Sequence, residues 1–377
     1  MNYMKQKNMR AMHNTPGNQT GFSLIELMIA SVIGLVILGG AVTVFSTNSA
    51  SSKLSTGMAR IQDNGRVALD IISYSTRMAG YEGCRDEVKD PAIVLATVAP
   101  TVDLRDGAIW GSEVDTGNSW DPARPADLNP ISGRVKADTD VFYIQHGSGR
   151  TSTLAADMTS SSADILLPLN PDQFATNDML MISNCETTEI FRATDVDDNA
   201  AGQTVVQHGT SANIQSNFNT VYTGTGDRDA VPVRVMRFEA SAYFIGDSNR
   251  DTPNGDSIFS LFVRDTTTGT TTELVEGVEN LQVLYGENVQ PDPELPPLIR
   301  YVTADAVTNF ANVLSVQLGL LIATADYAAS DNDNRVYNIA GTTVGPDASS
   351  NDQHQGDRRL RAAFNTTIQL RNRTIQE

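Results

Sequence analysis

Hydrophobic and polar positions divide this chain into distinct regimes. From Phe22 to Phe45 nearly every residue is apolar or small, and Glu26 is the one formal charge. As a helix this run is about 36 Å long at about 1.5 Å per residue, enough to cross a bilayer core of about 30 Å. Beyond it the apolar positions thin to a single stripe. Leu54, Met58, Ile61, Gly65, Ala68, Leu69 and Ile72 recur at three- and four-residue steps, with Lys53, Arg60, Asp63, Arg66 and Asp70 between them. The pattern predicts one helix from about Phe22 to about Ala79, apolar over residues 22–53 and amphipathic over 54–80, capped by Gly80. Gly39-Gly40 is its weak spot, since each glycine costs about 1 kcal/mol against alanine in a helix interior.

Residues 81–377 change character. Short β-branched and aromatic runs alternate with Gly, Asp, Asn, Ser and Thr clusters, as in an antiparallel β-rich domain. The predicted strands are Val141–Gln145, Asp164–Leu167, Met179–Ser183, Thr188–Ala193, Val205–Gln207, Val233–Ile245, Ile258–Val263, Leu274–Tyr285, Val313–Ala323 and Ala362–Leu370. Asp265–Thr270 reads as a hairpin loop. Residues 86–134, 200–231 and 324–357 carry no motif; the last, with SDNDNR and DASSNDQHQGD, reads as a long mobile surface insertion. The fold class is therefore α+β, a long N-terminal helix packed on an antiparallel β-rich domain with long loop insertions.

Charge orients the chain. It has 45 acidic and 27 basic residues in 377, a formal net charge of −18. Residues 1–21 hold Lys5, Lys7 and Arg10 and no acid, so this basic head stays cytoplasmic and everything after Phe45 lies across the membrane. Without that head the charge of −18 becomes −21, which repels phosphate backbones and argues against a general nucleic-acid binder. Cys84 and Cys185 are the two cysteines, and in an oxidising compartment they read as a structural disulfide, worth about 4–5 kcal/mol on the chain-entropy argument. Two distant cysteines with His146, His208 and His354 are too few soft ligands for a metal site.

Glu26 needs explaining. A carboxylate inside lipid costs about 3 kcal/mol or more, and nothing else in the apolar run supplies a cation. A secretory signal is cut after its apolar region, at a small-residue site; here Gly21 stands before it. Cleavage between Gly21 and Phe22 creates an α-amine at Phe22 that can meet Glu26 of a neighbouring copy. An uncleaved membrane anchor is the plainer alternative, and it leaves Glu26 and the Gly-Phe junction unexplained. The basic leader, the Gly21-Phe22 junction, Glu26 five residues on and the apolar remainder together resemble the class III signal of type IV prepilins and type II secretion pseudopilins. The resemblance implies a prepilin peptidase that cleaves after Gly21 and methylates Phe22.

Further blocks sharpen it. Asn64-Gly65-Arg66-Val67-Ala68-Leu69-Asp70 followed by RMAGYEGC, then Glu276–Gly286 (EGVENLQVLYG), then Arg358–Phe364 with Thr366–Arg373, resemble PilW-type minor pilins in order along nearly the whole chain. The family implies a pilin-like fold and a low-abundance role in type IV pilus assembly. The implied partners are other minor and major pilins, the prepilin peptidase and the inner-membrane assembly platform. Two other readings stay open: a J-type pseudopilin of a type II secretion system, and a pilus-tip adhesin or DNA-uptake subunit.

Candidate chemistry is sparse. Asp247, Asn249 and Asp251 have calcium-loop spacing, but the glycine after the third ligand and the glutamate at the twelfth position are missing, so an acidic turn is the simpler reading. No G-x-S-x-G, H-E-x-x-H or phosphate loop is present, and the chain is read as non-enzymatic and without cofactor. His146, His208 and His354 stand in polar turns or in the long loop and read as solvated. Arg358–Arg361 and Arg371–Arg373 read as charged strand ends that offset an acidic domain.

Overall fold

The computed structural model describes residues 21–83, 92–97, 104, 107–168, 170, 173–184, 186–223, 232–290, 292, 294–346 and 352–372. The chain divides into two compact units, residues 1–53 and 54–377. A single helix, α1, runs Leu24–Met78. The expected helix is therefore present within two residues at its start and one at its end, and Gly39 and Gly40 are helical within it.

In the second unit, α1 presents Gly57, Ile61, Gly65, Ala68, Ile72, Ser73 and Thr76 as its buried stripe. Ile61, Ala68 and Ile72 join a core with Ile109, Phe142, Ile144, Leu281, Tyr285, Leu318 and Leu320. Each buried large aliphatic side chain contributes about 1.5–3 kcal/mol. Gly65 is required by close approach, because a Cβ there would run into the Phe364 ring. Asn64 Nδ2 donates to Glu276 O at 3.0 Å, and Ser75 Oγ meets Tyr243 OH at 2.8 Å. The helix ends as predicted at Gly80 (φ +73°), whose N–H bonds Gln145 O at 3.0 Å. The Asn372 side chain adds the missing closure, donating to Arg77 O at 3.2 Å and Met78 O at 3.3 Å, carbonyls that a helix end leaves without partners.

The β part holds two principal sheets. In the nine-stranded sheet the central member is Arg234–Asp251, 18 residues long. Thr139–Thr153 pairs with one of its edges. Met179–Ser183 and Ser257–Asp265 share the other, taking its first and last parts. Thr188–Arg192, Ile109–Val114, Thr270–Glu276 and two short strands complete the sheet. The four-stranded sheet is antiparallel throughout, in the order Ile299–Val302, Val278–Asn288, Val313–Ala323, Arg361–Gln369.

Gly277 links the two. Its φ is +83°, its N–H bonds Phe259 O at 2.9 Å in the first sheet, and its carbonyl accepts from Ala323 N at 2.7 Å in the second. The single strand expected over Leu274–Tyr285 is therefore two strands in different sheets. Elsewhere Met179–Ser183 and Val313–Ala323 match the expectation, and Asp265–Thr270 is a hairpin loop whose Asp265 carboxylate accepts from Thr267 N at 2.8 Å.

Two expectations are corrected. Residues 324–357 were expected as a mobile surface insertion, yet Tyr337–Ile339, Thr342–Gly345 and Asp352–Gln353 form a small sheet of their own. Ile339 and Val344 bury against Leu321, and polar bonds such as Tyr337 OH to Asp333 Oδ2 at 2.8 Å add to that small apolar cluster. The three histidines expected in solvent are buried, at 3% exposure for His146, 4% for His208 and 7% for His354, because each ring bonds a main-chain carbonyl. Cys84 and Cys185 lie outside the described residues.

Candidate functional site

The N-terminal junction is built by a helix start. Residues 21–23 precede α1 without helical structure, and a Cβ on Gly21 would meet no atom within 4 Å. Phe22 is 91% exposed, and so are all the large apolar side chains from Leu24 to Phe45. Ser23 opens the helix: its Oγ accepts from Ile25 N at 3.3 Å, while its own N–H donates to Glu26 Oε2 at 3.0 Å. This is a variant of the Ser-x-x-Glu capping box, with the Ser hydroxyl on the second helical N–H instead of the third. The carboxylate expected to lack any partner within its helix thus has one. The spacing Ser23-Leu24-Ile25-Glu26 carries that signal in the sequence. The bond is to a neutral donor, and among the described residues no ion pair to Glu26 is found.

A second constellation stands far along the sequence. Glu279 lies on the Val278–Asn288 strand and Arg361 on Arg361–Gln369, the two strands flanking Val313–Ala323. Arg359 Nη2 meets Glu279 Oε1 at 2.6 Å, and Arg361 Nε meets Glu279 Oε2 at 2.6 Å. Asp357 bridges both arginines, at 2.6 Å to Arg359 Nε and 2.9 Å to Arg361 Nη2. Asp333 stands 3.5 Å from Arg361 Nη1, and Gln355 accepts from Arg359. Both guanidinium side chains are fully buried. The arginines read as charged strand ends that offset an acidic domain are, at Arg359 and Arg361, buried on specific carboxylates, with Arg361 opening its strand. Burial works against the charge on Arg361, but Glu279 and Asp357 outweigh it and raise its pKa. Burial also pushes the Asp357 carboxyl up, and Arg361 and Arg359 more than reverse that, leaving it below its ordinary value.

The cluster joins two of the sequence blocks, EGVENLQVLYG and RRLRAAF, and Asn372 joins a third to the helix end at Met78. No sequence signal pairs Glu279 with Arg359 and Arg361, since 82 residues separate Glu279 from Arg361.

The calcium candidate is a bulge. The pairing of Arg234–Asp251 with Ser257–Asp265 shifts between Asp247 and Arg250, and Asn249 has φ +58°. Asp247 accepts from Asn249 N at 2.7 Å and Ser257 Oγ at 3.1 Å, and between it and Asp251 the Arg250 guanidinium pairs with Glu273 and Glu276. Asp247 serves the turn, and Glu273 and Glu276 serve Arg250. Among the described residues no group of three or more His, Cys, Asp or Glu is arranged to hold a metal.

Comparison with known proteins brings the two constellations under one description. Residues 242–372 match the family described as Type IV Pilus-assembly protein W, and residues 16–42 match the prokaryotic N-terminal methylation motif. The chain is thus similar to PilW-type pilins over about a third of its length. The first match spans Glu279, Arg359, Arg361 and Asn372, and the second spans Gly21, Phe22 and Glu26. The chain is also similar to the Pilin-like protein PilA3 of Thermus thermophilus, at 26% identity over 130 residues. That alignment covers 30% of this chain and 56% of the relative, so it spans about half of the relative's length. The apolar helix and the methylation motif together mark a membrane-anchored pilin with an α+β, PilW-type globular part.

Proposed function

We propose that the protein is a minor pilin required for assembly of a type IV pilus. One observation carries the reading: an exposed apolar helix with one carboxylate in its first turn leads into a PilW-type domain. In this account the chain enters the inner membrane as a prepilin with its globular part in the periplasm. A prepilin peptidase cuts after Gly21 and methylates Phe22. The Phe22–Phe45 segment then leaves lipid for the company of like helices, where Glu26 meets the Phe22 amine of a neighbour. In a medium where an unpaired charge is costly, that pairing selects register along with affinity.

The role is assembly, with no chemistry of its own. Partners are other minor and major pilins and the inner-membrane assembly platform, in a complex that primes or caps the filament. Mass spectrometry of a sheared pilus fraction tests the reading. It predicts a peptide of this chain beginning at N-methylated Phe22. Recovery solely as an uncut chain in membranes contradicts it.

A further inference from the structure

Glu294–Tyr301 is an unbroken run of eight exposed residues, and five in succession, Leu295-Pro296-Pro297-Leu298-Ile299, are apolar. Protein surfaces avoid such runs unless they bind something. After α1, eight large apolar side chains are exposed among the described residues. Five of them, Val289, Leu295, Leu298, Ile299 and Tyr301, stand on this one hairpin, with Leu298 at 61% and Leu295 at 50% exposure. Val336 is a lone surface residue that needs no explanation; a cluster does.

Main-chain and side-chain bonds hold the run in shape. Val278–Asn288 and Ile299–Val302 pair antiparallel, with Gly286 opposite Tyr301 and Asn288 opposite Ile299. Ile299 and Tyr301 lie across Gly286, where a Cβ would fall 3.0 Å from each. Alternation sets Leu298 and Arg300 on the other face. The hairpin therefore carries exposed apolar side chains on both faces, as a projecting arm does and a flat surface does not. The Asn288 side chain closes its base, accepting from Gln290 N at 3.1 Å and Leu298 N at 3.0 Å. Val289 N donates to Leu298 O at 2.9 Å. Pro296 and Pro297 fix φ and have no N–H, so they offer no template for strand pairing, and little ordering is left to impose on binding.

Charge says what covers the arm. Asp292, Glu294 and Asp305 flank the run in sequence and are exposed, and among the described residues no ion pair to any of them is found. Its one cation, Arg300, is held by Glu287 at 3.0 Å. Pairing arm on arm between two copies would set these carboxylates against each other, in a chain whose formal charge is already −18. A bilayer surface is no better host, because segments that lie on it turn Lys and Arg toward anionic headgroups. We propose that Glu294–Tyr301 is a docking arm that seats in an apolar groove, rimmed by Lys or Arg, on a different protein. Leu295 and Leu298 anchor it there, and Asp292 and Glu294 align it with the rim. This inference does not depend on the pilus reading.

A photoreactive benzophenone amino acid placed at Leu298 of the full chain, in living cells, tests it. The expected result is one dominant adduct with a different protein, whose cross-linked peptide, sequenced by mass spectrometry, is apolar with Lys or Arg beside it. Asp292→Lys with Glu294→Lys should cut that adduct about tenfold, and Leu295→Asp should cut it as far. The same probe at Val336 should give no such adduct. Adducts with lipid alone, adducts with another copy of this chain alone, or no adduct at all overturn the proposal. So does an adduct that the charge reversals leave unchanged. Should the Leu298 variant fail to fold, the probe at Leu295 decides by the same criteria.

Discussion

The Ser23 backbone N–H donates to the Glu26 carboxylate at 3.0 Å, so the one charge of the apolar run is held over the first turn of its own helix. Glu26 therefore has two separable roles, a helix cap within the chain and a charge for pairing between chains. Glutamine preserves the first and removes the second. Glu26→Ala and Glu26→Gln should both be inserted and processed, and both should fail to assemble. The alanine variant alone should lose about 0.5–1 kcal/mol more of helix stability. Surface pilus counts with immunoblots for processing check this. Normal assembly by Glu26→Gln would assign the residue to the cap alone.

Gly21 precedes the helix where a Cβ would meet no described atom within 4 Å, so packing among the described residues does not demand a glycine there. The demand is assigned to the peptidase. Gly21→Val should leave the membrane segment and the globular domain intact while the 21-residue leader stays attached. Electrophoretic mobility and an N-terminal peptide map read the result directly, and normal cleavage would remove the site.

Glu279 holds two fully buried guanidinium groups, and removing it leaves them undercompensated. Glu279→Ala should destabilise the domain by about 3–5 kcal/mol, the cost typical of breaking a buried pair from one side. Urea midpoints measure it. A shift under about 1 kcal/mol would mean that Asp357 and Asp333 carry the arginines by themselves.

Asp333 and Asp357 add an acid limit. Burial pushes the Asp333 carboxyl up, but its bonds to Arg335 and Tyr337 outweigh that, and both residues sit below the ordinary 3.8. Their contribution is therefore complete above about pH 3.8 and is lost as pH falls through the lowered values. Asp357→Asn should flatten the acid limb of stability against pH. An unchanged limb would place the acid sensitivity elsewhere.

Gly83 and Ser183 both lie against Arg234, the first by packing and the second by strand pairing. Each stands one or two residues before a cysteine in sequence, and a Cys84–Cys185 disulfide is an expectation from the sequence alone. The chain isolated without reductant should contain no free thiol, and reduction should release two. Alkylation followed by mass measurement counts them.

Much of the fold was legible because periodicity is local. The stripe from Leu54 to Ile72 set the helix, Gly80 its end, and strands such as Met179–Ser183 and Val313–Ala323 stand out by composition. What escaped was non-local or too polar to register. Gly277 cuts one apolar run into strands of different sheets through a positive φ and two long-range bonds. The burial of Arg359 and Arg361 escaped because, although Asp357 is close in sequence, Glu279 and Asp333 reach them from distant segments. Residues 324–357 look disordered by composition because their apolar anchor is small, Ile339 and Val344 on Leu321, and the rest of their cohesion is hydrogen-bonded and ionic. At the N-terminus Gly21, Phe22 and Glu26 were readable at once, while the Ser23 cap needed the motif spacing to be applied one residue after the proposed cut.

The most direct test of the central claim is an in-frame deletion, complemented in trans and scored side by side for surface pili and for type II exoprotein secretion. The account predicts loss of pili with normal secretion, restored by the wild-type chain and not by Glu26→Gln. Normal pili with lost secretion would contradict it and identify a pseudopilin instead.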